Sequence, residues 1–272
     1  MTYKLFNKED IDRFNADGYV IKKGFFTKEE TNKVYETALS DDILRKKAYD
    51  LNDKEGFKTR LTLWYQPGDD IYGMISRSQR MVTGVAALLG GTPAHFHTKL
   101  MQKEPKVGGA WEWHQDYGYW YKDGFLFPDM ISVMIALSPA NKENGCLQVL
   151  KGSHKLQRVE HGSAGEQVGI SQELIDVVTK KFELVYVELE PGDTLFFHCN
   201  LWHRSNANLS DSSRWSLISV YNLAQNKPYK EMHESCITPI KIVSDNAVLH
   251  AHTMGLNENA GFLSKESDKS LK

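Results

Sequence analysis

The distribution of apolar positions changes character near residue 93. Before that point they recur at helical spacing between capping signals, and after it they fall in short runs separated by turn residues. Asn7 precedes Lys8, Glu9 and Asp10 as an N-cap followed by an acidic first turn, and Ile11, Phe14 and Tyr19 supply an apolar side. Thr27-Lys28-Glu29-Glu30 reads as a capping box opening a second helix that runs through Leu39. Between the two, Tyr19-Val20-Ile21 and Gly24-Phe25-Phe26 read as a short strand and turn. A third helix is expected from Ile71 to Leu89, ending at Gly90-Gly91-Thr92-Pro93.

Beyond Ala94 the candidate strands are His95 to Lys103, Trp111 to Asp116, Ile131 to Leu137, Cys146 to Val149, Leu184 to Leu189, Thr194 to His198 and Trp215 to Tyr221. Several short strands after a helical preface predict a mainly β fold, a sandwich or barrel decorated by helices. Val168 to Lys181 reads as a helical insertion. Gly261 to Lys272, rich in Ser and Lys, reads as a mobile tail. We expect one domain over residues 1–272, with a preface to residue 93, a core over 94–225 and a C-terminal extension over 226–272.

A chain of 272 residues suits a single large β domain. Apolar residues at 41% and charged residues at 25% are ordinary globular values, which argues against disordered and fibrous classes. The formal charge of -2 gives no basic footprint for nucleic acid. No apolar run approaches the ~20 residues that span a bilayer, and Met1 to Lys4 leads into a charged helix rather than a signal sequence, so a cytoplasmic protein without membrane attachment is expected. No obligate protein partner is evident. Cys146, Cys199 and Cys236 are too few and scattered for a disulfide framework. Cys199, close to His203 in sequence, is a candidate for the wall of a site there.

Two segments carry candidate chemistry: Trp113-His114-Gln115-Asp116 and Trp202-His203-Arg204-Ser205. On an extended strand His114 and Asp116, two residues apart, share a face, and Gln115 points away. Two imidazoles and one carboxylate hold Fe(II) on one side and leave the opposite positions open. His203 follows the apolar run Leu195-Phe196-Phe197, placed after the turn Pro191-Gly192-Asp193. Arg214 comes eleven residues later, at the head of the run Trp215 to Tyr221.

Together with Asn144 to His154 and Gly192 to His198, these segments make the chain resemble the phytanoyl-CoA dioxygenase-like Fe(II)/2-oxoglutarate oxygenases, which include ectoine hydroxylase. The resemblance extends from Tyr19 to about Leu249 and implies a double-stranded β-helix, a jelly-roll, cupin-like core. It also implies His114, Asp116 and His203 as catalytic metal ligands, with 2-oxoglutarate as co-substrate, O₂ as oxidant, and succinate and CO₂ as co-products.

Arg214 suits the remote carboxylate of 2-oxoglutarate, because guanidinium grips a carboxylate with a planar fork. Ser205 matches a serine that family members use beside it, and Ser216 shares a strand face with Arg214. Lys99 and Lys103 share a face of the strand before His114, and Lys99 is the candidate for the metal-proximal carboxylate. With Asp116 present, hydroxylation is expected rather than the halogenation carried out by relatives that lack this carboxylate. His198, His154, His95 and His97 read as structural histidines, although His95 and His97 lie on a strand able to approach the site.

The run Tyr117 to Tyr121 follows the ligands immediately. Tyr117 and Trp120 are candidates to offer π faces to an ammonium group. The expected substrate is a small polar, cationic or zwitterionic metabolite of amino acid, betaine or aminophosphonate type. Competing readings are a catalytically silent metal-binding sensor, a hydroxylase of an acyl-CoA or secondary metabolite, and a cupin-type enzyme working without 2-oxoglutarate. No basic cluster offers a surface for CoA, and Arg214 has no evident purpose in the last case.

Overall fold

The computed structural model describes residues 6–230 and 236–268. Helices α1 (Lys8–Asp17) and α2 (Lys28–Ser40) flank strand β1 (Tyr19–Lys22). Both carry the caps their sequences encode: Asn7 Oδ1 accepts from the Asp10 backbone N–H at 2.9 Å, and Thr27 Oγ1 accepts from that of Glu30 at 3.2 Å. After the short helix α3 (Asp42–Lys47) come two strands that the helical reading of the first ninety residues did not anticipate, β2 (Tyr49–Asn52) and β3 (Lys58–Trp64). Alternation over so few residues is overwritten by the pairing β3 makes with a distant strand.

The helix expected over 71–89 is two, α4 (Ile71–Arg77) and α5 (Gln79–Leu89). Residues 77–79 exchange backbone bonds with Val243, whose N–H donates to Arg77 O while its carbonyl accepts from the Gln79 N–H. An unbroken helix cannot make that bridge, and Ser78 is accordingly extended at ψ 144°.

The core follows as β4 (Pro93–Lys103), β5 (Trp111–His114), the short helix α6 (Asp116–Trp120), β6 (Met130–Ala136), β7 (Leu147–Leu150), β8 (His161–Ala164), β9 (Gln167–Ile170), α7 (Gln172–Val178), β10 (Leu184–Val187), β11 (Thr194–His198), β12 (His203–Ser205) and β13 (Arg214–Leu223), with β14 (Thr238–Pro239) and β15 (Phe262–Leu263) after it. The larger sheet runs β1-β11-β6-β13-β4-β3-β15, with β14 on β4 and β2 on β3. The smaller runs β10-β7-β12-β5. These antiparallel sheets pack as a double-stranded β-helix, and β1 and β3 extend the larger sheet with residues from the helical preface.

Burial explains why the central strands read as unbroken apolar runs. One face of the larger sheet, with Val133, Ile135 and Leu217, packs under α1, α2, α4 and α5. The opposite face, with Met101, Met134 and Ile218, packs toward Val149 and Leu147 of the smaller sheet. Every residue of β13 is therefore buried.

Two further expectations are corrected. The insertion over 168–181 is helical only in α7; its start is β9, paired with β8 in a hairpin. The C-terminal stretch from Gly261 is not a loose tail. Phe262 and Leu263 pair with Trp64 and Leu63, and Lys265 Nζ lies 2.7 Å from Glu166 Oε2 in the turn of the β8–β9 hairpin. Residues 269–272 of that stretch lie outside the described residues, as do Met1 to Lys4.

Candidate metal and co-substrate site

His114 and His203 are direct cross-strand partners of β5 and β12, their ring centroids 4.0 Å apart. The strand expected to run to Asp116 ends at His114, and Asp116 opens α6. Gln115 is nevertheless extended (φ −115°, ψ 135°), so the two-residue spacing still brings both ligand side chains to one side. Each Nε2, of His114 and of His203, lies 3.8 Å from Asp116 Oδ1. All three residues are buried, and one ligand atom from each falls within 4.8 Å of the others.

Backbone carbonyls set the imidazole orientations. His114 Nδ1 donates to Glu112 O at 2.7 Å and His203 Nδ1 to Leu201 O at 2.9 Å, which leaves each Nε2 lone pair directed toward Asp116. Burial and the neighbouring His114 push His203 down to about 3, so its ring stays neutral and able to ligate. Burial alone would raise the Asp116 carboxyl, but Lys99, His203 and His114 together hold it well below the usual carboxylate range. Ser132 on β6, which the sequence reading did not single out, donates from its hydroxyl to Asp116 Oδ2 at 2.6 Å. Gln115 turns away from the ligands, as the alternation required: its side chain donates to Gln157 O and Asn200 O and accepts from the Val159 N–H.

Two cavities meet here, sharing Lys99, Trp111 and His114 on their walls. The first, of about 390 Å³, lies over β13 and is lined by Arg214, Ser216, Ser205, Met101, Met134 and His203 among others. The strand-face argument for Arg214 and Ser216 holds. Both are buried, and Arg214 Nε and Ser216 Oγ have no hydrogen-bond partner among the described residues. Burial lowers Arg214 to about 10, which still leaves it charged at neutral pH. A buried guanidinium without a carboxylate partner is a cradle for an anion brought by a ligand. Lys99 Nζ sits 3.9 Å from Asp116 Oδ1 at the metal end, whereas Lys103, on the same strand face, is wholly buried and donates to Ser205 Oγ.

The second cavity, of about 610 Å³, lies on the other side of the metal ligands. Trp120 is on its wall, edge-on to Phe96 and His97 at 5.7 and 5.9 Å. Tyr117 is not: its ring sits in the core and its hydroxyl donates to Phe125 O at 3.0 Å. Tyr119 takes the place in the wall that the aromatic run suggested for Tyr117. Sequence reasoning also missed Leu61 and Leu63 of β3, Tyr49 of β2, Asp123, and Leu263 and Asp268 of the C-terminal segment, all lining this cavity. His97, on the strand expected to approach the site, also lines it, buried and with no hydrogen-bond partner for Nδ1 among the described residues.

The remaining histidines are structural, as expected. His198 Nδ1 accepts from the Asn200 N–H at 3.0 Å, and His95 Nε2 meets Thr98 Oγ1 at 2.8 Å. His154 Nε2 meets Asn15 O at 3.2 Å. Cys199 is turned toward Pro128 O and lines neither cavity.

The comparisons with known proteins point to one family and one fold. An L-proline trans-4-hydroxylase of Streptomyces griseoviridis is 28% identical over 59% of this chain and 66% of its own length. An ectoine dioxygenase of Stutzerimonas stutzeri is 24% identical over 80% of this chain and 77% of its own. Among solved structures, EctD from S. alaskensis with bound Fe superposes with a TM-score of 0.73 at 18% identity over 90% of both chains. The epimerase SnoN in complex with Fe3+, alpha ketoglutarate and nogalamycin RO reaches 0.68 at 19% identity, over 93% of this chain and 96% of its own. These structural likenesses establish the shared fold. The profile of the phytanoyl-CoA dioxygenase family matches residues 14–216, three quarters of the sequence, and the chain belongs to that family.

Proposed function

We propose that this dioxygenase hydroxylates an unactivated C–H bond of a small polar, cationic or zwitterionic metabolite of amino acid, betaine or aminophosphonate type. In this reading His114, Asp116 and His203 hold Fe(II), and Arg214, Ser205, Ser216 and Lys99 hold 2-oxoglutarate. The observation that carries it is the placement, in adjoining cavities, of three convergent ligand atoms and a buried Arg214 whose Nε has no partner among the described residues. The bound iron, with 2-oxoglutarate and O₂, supplies the oxidising chemistry and releases succinate and CO₂.

The chain's own residues orient and enclose. Ser132 and the two backbone carbonyls fix the ligands, Arg214 and Ser216 anchor the far end of the co-substrate, and Lys99 adds positive charge near the metal. The larger cavity excludes water with Leu51, Leu61, Leu63 and Leu263, and presents the faces and edges of Trp120, Tyr65 and Phe96 to the substrate. Apart from Lys99 and the ligand candidate Asp116, its charged wall groups are the carboxylates Asp123 and Asp268. Trp120 offers the ring for an ammonium contact, worth ~0.5–2 kcal/mol.

The test is succinate formation from 2-oxoglutarate across a panel of amino acids, betaines and aminophosphonates, with and without Fe(II). Iron-dependent succinate stimulated by a cationic or zwitterionic compound is expected. No binding of 2-oxoglutarate by the Fe(II) protein would overturn the co-substrate assignment. Stimulation by anionic or acyl-CoA compounds alone would overturn the substrate assignment.

A further inference from the structure

Lys103 is the most deeply buried cation near the site and the one the chemistry above does not use. It stands directly across the strand pair from Arg214, and its side chain is fully enclosed. Its ammonium donates to Ser205 Oγ at 2.8 Å, to Asn206 O at 2.5 Å and, at the longer distance of 3.5 Å, to Ser205 O. Burial and the neighbouring Arg214 pull Lys103 well below the usual lysine range, and three acceptors around Nζ, one for each proton of an ammonium group, hold the charged form against that pull; an ammonium has no lone pair to offer in return. Neither Lys103 nor Arg214 has an ion pair with a carboxylate among the described residues. Asp53, the acid whose field reaches Lys103, already accepts from the backbone N–H groups of Glu55, Phe57 and Ala110.

This arrangement constrains the direction of one proton. A serine hydroxyl carries a single hydrogen, and Ser205 Oγ is an acceptor toward Lys103, so its own O–H must point elsewhere. No acceptor for that hydrogen is found among the described residues, and Ser205 lines the cavity that holds Arg214 and Ser216. We infer that Lys103 is a positioning residue: by occupying the lone pair of Ser205 it fixes that hydroxyl as a donor into the Arg214 cavity, where the hydroxyl meets the remote carboxylate of a 2-oxo diacid. Lys103 itself does not touch the ligand. It supplies a second buried positive charge behind the first and decides the polarity of the serine between them.

The inference rests on the reading of the Arg214 cavity as the 2-oxoglutarate site, and a double-mutant cycle separates the two. The Kd for 2-oxoglutarate is measured anaerobically by calorimetry on the Fe(II) protein for the parent, Lys103→Met, Ser205→Ala and the double variant, with the melting temperature recorded for each. Lys103→Met is expected to raise Kd roughly tenfold, in proportion to weakening one charge-assisted hydrogen bond, and to add little once Ser205 is alanine. A merely structural lysine would lower the melting temperature without coupling to Ser205 in Kd. Equal loss of affinity from Lys103→Met in both backgrounds, or no loss in either, overturns the positioning role while leaving the co-substrate site intact. Failure of the parent to bind 2-oxoglutarate overturns the reading beneath it. Should Lys103→Met not fold, Lys103→Gln, which keeps a donor for the Asn206 carbonyl with a shorter reach, runs the same cycle.

Discussion

At the proposed metal site Ser132 orients a ligand candidate rather than serving as one. Its 2.6 Å bond to Asp116 Oδ2 occupies one carboxylate oxygen and turns the other, Oδ1, toward both histidine Nε2 atoms. Outer partners of this kind typically contribute ~10–100-fold in metal affinity. Ser132→Ala is therefore expected to weaken Fe(II) binding by that factor in an anaerobic titration, and unchanged affinity would show that Asp116 is oriented by its backbone alone. Trp120 provides a second residue-scale prediction. Trp120→Ala should reduce substrate-stimulated 2-oxoglutarate consumption more than 2-oxoglutarate affinity, and Trp120→Phe should retain more of it, since an aromatic face survives. A drop in melting temperature with unaltered turnover per folded molecule would return Trp120 to the core. The convergence of His114 and Asp116 was legible because a two-residue spacing on an extended chain fixes a common face whatever surrounds it. Ser132 and Asp268 were not, since nothing near them in the chain says which distant strand they will meet.

At the scale of elements, legibility followed the range of the interactions involved. The capped starts of α1 and α2 are set within four residues and were read directly. The break at Ser78 is set by Val243, strand β3 by its place on β4 and β2 by its pairing with β3, so local periodicity misassigned all three. The C-terminal segment is the element whose consequence is largest. It pairs through β15 with β3, ties to the β8–β9 hairpin through Lys265 and Glu166, and brings Leu263 and Asp268 to the cavity wall. Deleting residues 262–272 should leave 2-oxoglutarate affinity close to that of the parent, because Arg214, Ser205 and Ser216 are untouched. It should abolish the stimulation of succinate formation by substrate, measured as the ratio of coupled to uncoupled turnover. A truncated protein that keeps its full coupling ratio would show that this segment only covers the β3 edge.

Across the whole molecule, the ligands draw together the smaller sheet, which carries His114 and His203, and α6, which carries Asp116 and is held in turn by Ser132 of the larger sheet. Metal that binds only the folded arrangement stabilises it by ~2.7 kcal/mol at a hundredfold excess over its Kd. For a domain of this size each kcal/mol shifts the melting temperature by about 2–4 °C. Stripping the protein with a chelator should lower its melting temperature by several degrees, and restoring Fe(II) should recover it. Identical melting curves with and without metal would mean the three ligands are held without regard to what they bind.

The division of labour between the sheets has one more result. His114 and His203 hang from the smaller sheet and Arg214 from the larger, so under the proposed assignment the interval between the sheets would gauge the carbon-chain length of the co-substrate. A diacid gripped at the metal end reaches the guanidinium only when its backbone matches that interval. If Arg214 holds the remote carboxylate, oxaloacetate, one carbon shorter than 2-oxoglutarate, and 2-oxoadipate, one carbon longer, are both expected to bind the Fe(II) protein more weakly than 2-oxoglutarate does. Met101 and Met134, which stand along the span and grip neither end, are the places where a change of side-chain bulk would reset the gauge and alter which diacid the protein accepts.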